Sequence, residues 1–241
     1  TFGERHCSGL DDHPATMGIM VHELGHDLNL PDLYDVDLSS GGVGVWSIMS
    51  YGSWGDTGGH AGTVPSGMDA FNKSLNGWIN PPAVNGTLSN TLIEPAQTAD
   101  DVYRLRPNPG GVDWGFYNGS GTGEYFLVEY RKQVGYDAGL PGCGLIVWHI
   151  DEGVTSTNSA NAPDGHRLVD VEEADGDEFT NDSEPSDPWP GSMNNLNFGP
   201  ATSPNSNFYS GAVSGVSMHV DTGGCPPAAI QADFITPTCP P

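Results

Sequence analysis

The chain has 241 residues, and its 7 Lys and Arg against 31 Asp and Glu give a formal net charge of −24 at pH 7. Nucleic acid and anionic membranes are polyanions that would repel such a chain, so neither is expected as a partner. The 36% hydrophobic residues are enough to build a core, which argues against disorder. No apolar stretch approaches the roughly 18 to 20 residues that span a bilayer, and the start of the chain shows no secretory signal pattern.

The first predicted element is a helix within residues 12–29. Apolar residues recur there at helical spacing: Met17, Met20, Val21, Leu24 and Leu28. Asp12 is the predicted N-cap, near Pro14. The helix is expected to end at Asn29, because Asn tolerates the left-handed conformation and Pro31 prevents much continuation.

A second helix is predicted from Ser66 to about Asn76, with Ser66 as its cap and a buried stripe of Met68, Phe71 and Leu75. Between the two helices lies a Gly/Ser-rich loop region with an apolar turn, GVWSIMSYGSWG. The 34 Gly and 20 Pro favour a loop-rich and strand-rich remainder.

Short β-type runs follow Pro81 and Pro82. The clearest predicted strands are Val102–Leu105, Tyr125–Tyr130, Leu145–Ile150, Leu168–Val171, Val216–Val220 and Ile230–Ile235. The apolar run of residues 145–148 is continuous enough for a strand buried on both faces. The segment 175–214 is acidic and then rich in Asn, Pro, Gly and Ser, which predicts an extended loop region.

Four cysteines lie far apart and form no CxxC pair, so zinc-ribbon and thioredoxin-like sites have little support. An even number of scattered cysteines fits two disulfides in an oxidising compartment, and four buried free thiols are the alternative. Of the three pairings, Cys225 with Cys239 closes a short Pro-bounded loop. The preferred pairing is therefore Cys225 with Cys239 and Cys7 with Cys143.

Residues 22–26 read HELGH, an HExxH motif inside the first predicted helix. The spacing places the imidazoles of His22 and His26 on one face, one turn apart, where both can bind a single Zn²⁺. Glu23 can then accept a proton from water, as metal-assisted peptide hydrolysis requires. HExxH also occurs by chance on ordinary amphipathic helices, so the flanking residues decide its meaning.

Asp32 stands six residues beyond His26. A sharp turn after Asn29 would bring the Asp32 carboxylate back to the metal as a third ligand and leave the fourth position open. The spacing resembles the metzincin pattern HExxHxxGxxH/D, with Asn29 in place of the usual Gly. The alternatives are that Asp32 caps a turn after Pro31 and that Asp35 is the ligand.

The later SIMSYG segment extends this resemblance. In metzincins a turn carrying Met packs beneath the zinc-binding histidines, which implies that role for Met49, although a plain core Met would look nearly the same. Tyr51, two residues later, is predicted to contact the metal or the developing oxyanion, or else to hydrogen-bond a zinc ligand.

Further segments are similar to one family, the secreted immune-inhibitor-A-like metallopeptidases: HELGHDLNLPDLYD, SIMSYGSWG, GWI, EYFLVEYR, GLPGCGLIVWHIDE, HRLVDVEEADGD and DPWPG. The resemblance covers residues 17–220. It implies a zinc endopeptidase that is secreted through a pro-form and often stabilised by Ca²⁺. It also implies that the β-rich part belongs to the protease unit.

The predicted fold is therefore α+β, a metzincin-like C-terminal half of a zincin followed by a β-rich, loop-rich region. The predicted parts are a zinc-binding subdomain at 1–82, a β-rich part at 83–224 and a Pro-rich tail or linker at 225–241. Only 21 residues precede His22, too few for the upstream zincin half, so a missing or separate N-terminal segment is expected. The chain alone is expected to bind zinc but to cleave protein weakly.

The stretch EADGDEFTND gathers carboxylates as calcium loops do, with Asp175, Asp177 and Asp182 as the predicted ligands and Glu178 beside them. It does not match the EF-hand template, and a solvated acidic loop is the alternative. Asp35 and Asp37 form a weaker second cluster. His149 is interpreted as a structural partner in a strand.

The sequence thus predicts a secreted, extracellular zinc endopeptidase that acts on proteins or peptides. His22, His26 and Asp32 would hold the metal, and Glu23 would be the general base. The alternative is a non-catalytic, Ca²⁺-stabilised binding or structural protein that keeps the fold. A serine hydrolase is disfavoured, since no GxSxG motif is present.

Overall fold

A computed structural model describes residues 5–8, 11–36, 40–108, 111–118, 120–154, 166–177, 183–221, 223–226 and 228–238, with backbone alone for residues 5–8, 11 and 12. The fold is mixed α+β, as predicted. In the described residues no helix combines the length and apolar character needed to cross a bilayer.

The chain opens with a hairpin and the predicted helix. Strands β1 (Arg5–Ser8) and β2 (Asp11–Pro14) pair antiparallel, and helix α1 follows at Met17–Asp27. The prediction that Asp12 caps α1 is wrong, because Asp12 is paired in β2 and the extended residue before the helix is Thr16. The predicted end is confirmed: Asn29 has φ 60°, in the left-handed region.

Helix α2 spans Ala70–Leu75, inside the predicted range. Its cap is Asp69 rather than Ser66, since the Asp69 carboxylate accepts a 2.8 Å hydrogen bond from the backbone N–H of Asn72. Phe71 and Leu75 are buried as the pattern predicts, and Met68 is half-buried.

The remaining elements are strands, and the longer predicted ones are confirmed. Their bounds are β3 (Ala83–Val84), β4 (Thr87–Ile93), β5 (Val102–Leu105), β6 (Glu124–Arg131), β7 (Gly144–Asp151), β8 (Val169–Val171), β9 (Asn197–Phe198), β10 (Ser217–Val220) and β11 (Ile230–Ile235). One sheet has the order β3-β5-β6-β7-β8 and is antiparallel except for the β3-β5 pair. A second, antiparallel sheet has the order β4-β11-β10-β9.

The five-stranded sheet is the middle layer of the fold. One of its faces, with Leu127 and Trp148, shares a core with Trp46, Met49 and Phe71 near the helices. The other face carries Phe126, Val128 and Val147 and packs on the four-stranded sheet. Alternate residues of β6 and β7 therefore enter different cores. This explains the continuous apolar run at 145–148, which is buried on both faces as predicted.

The disulfide pairing differs from the prediction. Cys143 is bonded to Cys225, with Cα atoms 5.7 Å apart across a sequence separation of 82. The predicted partners Cys239 and the Cys7 side chain lie outside the described residues, and both preferred pairs are wrong. Cys143 lies just before β7 and Cys225 lies between β10 and β11, so the bridge joins the two sheets.

Candidate metal centre

Three side chains from the HExxH helix and the following turn converge on one point. Nε2 of His22 and Nε2 of His26 lie 3.0 and 3.1 Å from Oδ1 of Asp32. The three predicted metal ligands are therefore the residues that the structure brings together. Asp35 is not in this group. Its buried carboxylate accepts hydrogen bonds from the backbone and hydroxyl of Ser40, while Asp37 lies outside the described residues.

The turn after α1 explains how Asp32 returns to the helix. The N–H of Leu30 bonds the carbonyl of Gly25, and the N–H of Asn29 bonds the carbonyl of His26, as in a Schellman motif with Asn at the left-handed position. The chain is thereby reversed within three residues. This is the conformation that the sequence predicts from Asn29 and Pro31.

Backbone carbonyls fix the orientation of both imidazoles. Nδ1 of His22 donates to the Ile48 carbonyl at 2.9 Å, and Nδ1 of His26 donates to the Leu30 carbonyl at 2.9 Å. A carbonyl oxygen can only accept, so each Nδ1 carries a proton, and in its neutral form each ring presents a lone pair at Nε2.

Those lone pairs point at an acceptor rather than a donor. Oδ1 of Asp32 is buried, and unless a proton or a cation is shared with the two Nε2 atoms near it, it has no hydrogen-bond partner among the described residues. Three electron-rich atoms so close together require a cation, either a proton or a metal ion. Two imidazole nitrogens and one carboxylate oxygen form a donor set that suits Zn²⁺, so the residues present fit a catalytic zinc site.

The charges of the three groups act on one another. Burial lowers the pKa of His22, but the hydrogen bonds to Asp32 and the Ile48 carbonyl leave it above its ordinary value. Burial raises the pKa of Asp32, and the two histidines outweigh it and hold that pKa below its ordinary value. Each ligand thus stabilises the charged form of the other.

The segment with Met49 lies under the ligands. The carbonyl of Met49 accepts from the N–H of Leu33 at 2.8 Å, next to Asp32, while the neighbouring Ile48 carbonyl holds His22. The N–H of Met49 donates to the Ser47 hydroxyl, which in turn donates to the α2 cap Asp69. The Met49 turn therefore orients two ligands through its backbone.

Two glycines allow α1 to approach this turn, and sequence reasoning missed both. A Cβ on Gly25 would stand 2.3 Å from Sδ of Met49, and one on Gly18 would stand 1.9 Å from the Ser53 carbonyl oxygen. Gly18, His22 and Gly25 are the buried residues of the helix. The sequence feature that could have identified them is their spacing, since Gly18 and Gly25 lie two helical turns apart on the same face as His22.

Glu23 lies on the open side of the centre. It is exposed, and it lines a cleft of about 480 Å³ together with Met20, Leu24, His26 and Asp27. Four of the five apolar residues that predict the helix, Met17, Met20, Leu24 and Leu28, are exposed, and only the fifth, Val21, packs against the core.

Two tyrosines flank the ligands. Tyr51, the predicted one, has its ring 6.1 Å from that of Tyr34. Tyr34, which the sequence analysis did not single out, is stacked 6.2 Å from His22 and lies within hydrogen-bonding reach of the Asp32 carboxylate. Burial, and then the charge of Asp32, raise the pKa of Tyr34 above its ordinary value, so its hydroxyl stays protonated at neutral pH.

The two predicted calcium ligands that the structure describes, Asp175 and Asp177, do not share a metal-binding group. Asp175 shares a group with Glu173 and Asp187, whereas Asp177 is exposed and outside it; Glu178 and Asp182 are not among the described residues. Burial raises the pKa of Asp187 to about 7. His149 is a structural partner in β7, as interpreted, with Glu124 at 3.2 Å and Glu172 at 2.8 Å.

Comparison with known proteins gives a match over the region that contains the three predicted zinc ligands, His22, His26 and Asp32. Residues 9–79 match the catalytic domain of the immune inhibitor A peptidases, M6. Immune inhibitor A of Bacillus thuringiensis subsp. alesti is 34% identical over 111 residues, which is 43% of this chain and 16% of that protein. The pre-pro-metalloprotease PrtV of Vibrio cholerae serotype O1 (strain M66-2) is 45% identical over 74 residues, 27% of this chain and 8% of PrtV. The chain thus spans only a small part of these relatives, and through residues 9–79 it is related to the immune-inhibitor-A-like metallopeptidases.

Proposed function

We propose that this chain carries the active site of a secreted zinc endopeptidase with a metzincin-like metal centre. The observation that carries the proposal is the convergence of the Nε2 atoms of two histidines on Oδ1 of Asp32, at 3.0 and 3.1 Å, an arrangement that requires a shared proton or metal ion. The family match over residues 9–79 supports a peptidase. The Cys143–Cys225 disulfide supports an oxidising, extracellular location.

His22, His26 and Asp32 would hold the zinc. The Nδ1 atoms of the two histidines are held by the Ile48 and Leu30 carbonyls, and the Asp32 carboxylate is held by Tyr34. When bound, zinc supplies a Lewis acid that makes water a stronger nucleophile and polarises the scissile carbonyl. Glu23, adjacent to His22 in sequence and open to the cleft, accepts the proton of the attacking water at its carboxylate. It then delivers that proton to the leaving amine.

The other residues near the metal centre would bind the substrate, stabilise the oxyanion and orient a metal ligand. Met20 and Leu24 offer apolar surface beside Glu23, where a protein or peptide substrate can pack. Tyr51 would donate a hydrogen bond to the developing oxyanion, while Tyr34 orients the Asp32 carboxylate. Tyr34 is accordingly a positioning residue in this proposal.

The general-base role is tested with Glu23→Gln and Glu23→Ala, assayed on casein with bound zinc measured in each. Both variants are expected to keep zinc and to lose activity by about 10²-fold or more. Asp27→Asn is the matched control, since Asp27 is another carboxylate of the same cleft. Equal activity in the wild type and the Glu23 variants would remove Glu23 from the mechanism, whereas a zinc-loaded wild type without activity would favour the non-catalytic binding protein.

The tyrosines are separated by comparing Tyr51→Phe with Tyr34→Phe. Tyr51→Phe is expected to lower kcat with zinc affinity unchanged, because its hydroxyl acts on the transition state. Tyr34→Phe is expected to weaken zinc binding as well, since it loses a contact to a ligand. Unchanged turnover in Tyr51→Phe would rule out its proposed role.

A further inference from the structure

A buried arginine joins the β-rich part of the chain to the metal centre. Arg131 is the last residue of β6, and its side chain is only 1% exposed. We propose that Arg131 and Asp137 are positioning residues of the zinc centre, which hold the Ile48 carbonyl, and through it His22, in the geometry that binds the metal. This inference rests on the function proposed above. Both residues lie outside residues 9–79, the part of the chain that matches the peptidase family.

Each N–H group of the Arg131 guanidinium has an acceptor. Nε and Nη2 donate to the two carboxylate oxygens of Asp137 at 2.7 and 2.6 Å, which makes a bidentate ion pair. Nη1 donates to the carbonyl of Trp46 at 2.7 Å and to the carboxylate of Glu129 at 3.3 Å. Nη2 also donates to the carbonyl of Gly67 at 3.4 Å. These five hydrogen bonds use all the donors of a guanidinium.

Two of the acceptors hold the peptide that contacts His22. The N–H of Ile48 donates to the Gly67 carbonyl at 3.2 Å, and the Ile48 carbonyl accepts from Nδ1 of His22 at 2.9 Å. Trp46, whose carbonyl Arg131 also binds, lies just before this peptide in the chain. Arg131 thus fixes the backbone next to Ile48 at two points. A shift of either carbonyl would move the oxygen that orients the His22 ring.

Asp137 holds Gly67 from a second direction. Its Oδ1 accepts a hydrogen bond from the backbone N–H of Gly67 at 2.7 Å, in addition to the one from Arg131. Asp137 lies in the turn Gly135–Gly139 after β6, and its side chain is 1% exposed. One buried ion pair therefore binds both the N–H and the carbonyl of Gly67. Fully satisfied buried polar networks rigidify their surroundings, and here those surroundings include the contact to a metal ligand.

Stability alone does not account for a buried ion pair at this position. Removing two charges from water costs free energy, and well-packed apolar residues of similar volume often stabilise a core as well or better. Apolar residues cannot, however, donate hydrogen bonds to the carbonyls of Trp46 and Gly67. Lys would keep the charge of Arg131, but its ammonium has three donors and no planar fork, so it cannot bond all the acceptors at once. The contacts that need Arg are therefore those that orient the backbone beside His22.

The test compares metal binding in the wild type and in Arg131→Lys, using the whole chain with folding checked by circular dichroism. Zn²⁺ affinity is measured by competition with a chromophoric chelator. Co²⁺ replaces Zn²⁺ in a parallel series, because its visible absorption bands depend on the geometry of the ligands. Arg131→Lys is expected to bind Zn²⁺ about tenfold more weakly and to change the Co²⁺ bands. Asp137→Asn is expected to do the same, since its amide nitrogen would face an N–H of Arg131.

Glu152→Gln is the matched control for the loss of a buried polar contact. The buried carboxylate of Glu152 accepts hydrogen bonds from four residues of the β-rich part, Asn108, Asp113, Gly123 and Tyr125. These four lie outside the segment that holds His22. The control variant is expected to lower the thermal unfolding midpoint and to leave the Zn²⁺ affinity and the Co²⁺ bands as in the wild type.

Two results would overturn the proposal. One is a folded Arg131→Lys variant with unchanged Zn²⁺ affinity and unchanged Co²⁺ bands; if that variant does not fold, the same result in Asp137→Asn overturns it. The other is an equal loss of Zn²⁺ affinity in Glu152→Gln, which would make the effect one of general stability. A wild type that binds no Zn²⁺ would refute the proposed function together with this inference, and it is recognised before any variant is compared.

Discussion

Helix α1 lies close to the Met49 turn because two of its buried positions are glycines. Adding a methyl group at either position should therefore change the free energy of unfolding by a predictable amount. In Gly25→Ala the new Cβ would stand 2.3 Å from Sδ of Met49. In Gly18→Ala it would stand 1.9 Å from the backbone carbonyl oxygen of Ser53. Nonbonded carbon atoms rest about 3.5 to 4.0 Å apart, so a shift of more than about 1 Å is needed at both sites.

Two opposing effects decide whether a Gly→Ala substitution raises or lowers the free energy of unfolding. Replacing Gly with Ala in a helix stabilises it by about 1 kcal/mol. Forcing an extra methyl into a packed core costs about 1 to 3 kcal/mol, and more where nothing can move. Met49 is fully buried but has a flexible side chain, so Gly25→Ala should lose about 1 kcal/mol net. At Gly18 the obstacle is backbone, and the expected loss is about 3 kcal/mol.

A double-mutant cycle with Met49→Ala tests the contact itself. Shortening Met49 makes room for a Cβ at Gly25 but not at Gly18. In the Met49→Ala background, Gly25→Ala should therefore become neutral or stabilising, whereas Gly18→Ala should remain destabilising. Urea unfolding gives the free energies, and zinc content shows whether the ligands stay in place. For a chain of this size, 1 kcal/mol corresponds to about 2 to 4 °C in the unfolding midpoint.

The reasoning fails if Gly25→Ala stabilises the wild type by the full helix-propensity gain. It also fails if Met49→Ala leaves the effect of Gly25→Ala unchanged. Rescue of Gly18→Ala by Met49→Ala would show that the helix moves as a unit, contrary to the separate obstacles described above.

Two further predictions concern the β-rich part. Burial lowers the pKa of His149, but hydrogen bonds to Glu124 and Glu172 raise it to about 9, above its unfolded value of about 6.5. The charged histidine stabilises the fold fully below pH 6.5, and that contribution falls by about 3 kcal/mol as the pH rises to 9. Urea unfolding at constant CaCl₂ should show this decline in the wild type and not in His149→Gln; parallel pH profiles would contradict it. For the disulfide, Cys225→Ser should cost about 4 kcal/mol, because the Cys143–Cys225 bridge closes a loop with a separation of 82 residues. Non-reducing peptide mapping should recover residues 143 and 225 in one linked pair, and recovery of 225 with another cysteine would refute it.

The grouping of the three proposed metal ligands could be predicted from the sequence because their geometry is local. His22 and His26 need only a helix, and Asp32 needs only the left-handed turn at Asn29, which the composition of HDLNLPD specifies. The strands of the two cores were predictable for a similar reason, since residues 125–128 of β6 and 145–148 of β7 are buried and form continuous runs of apolar and aromatic residues. The helix caps were harder to predict. Asp12 is paired in the β1–β2 hairpin, and this pairing overrides its preference for a helix N-cap.

Contacts between distant segments could not be predicted. Cys143 and Cys225 meet because two sheets stack, and sequence proximity wrongly favoured Cys239 for Cys225. Asp187 joins Glu173 and Asp175 because its loop returns beside the end of β8, whereas Asp177, which is nearer in sequence, is not part of that group. In both cases closeness in sequence did not predict the partner, because the packing of the layers determines which residues meet.

The two sides of α1 explain why one short helix can serve both structure and chemistry. Its glycine side lets the Met49 turn approach until a backbone carbonyl reaches His22, which leaves that ligand almost fully buried. Its apolar side stays open, and there the side chains of His26 and Asp32 are 34% and 29% exposed. A metal held by the three ligands is therefore closed on the His22 side and accessible on the side that carries Glu23. In the proposed mechanism, water, substrate and Glu23 meet on that side, so exposed apolar residues on α1 are consistent with a substrate cleft rather than with a failure of packing.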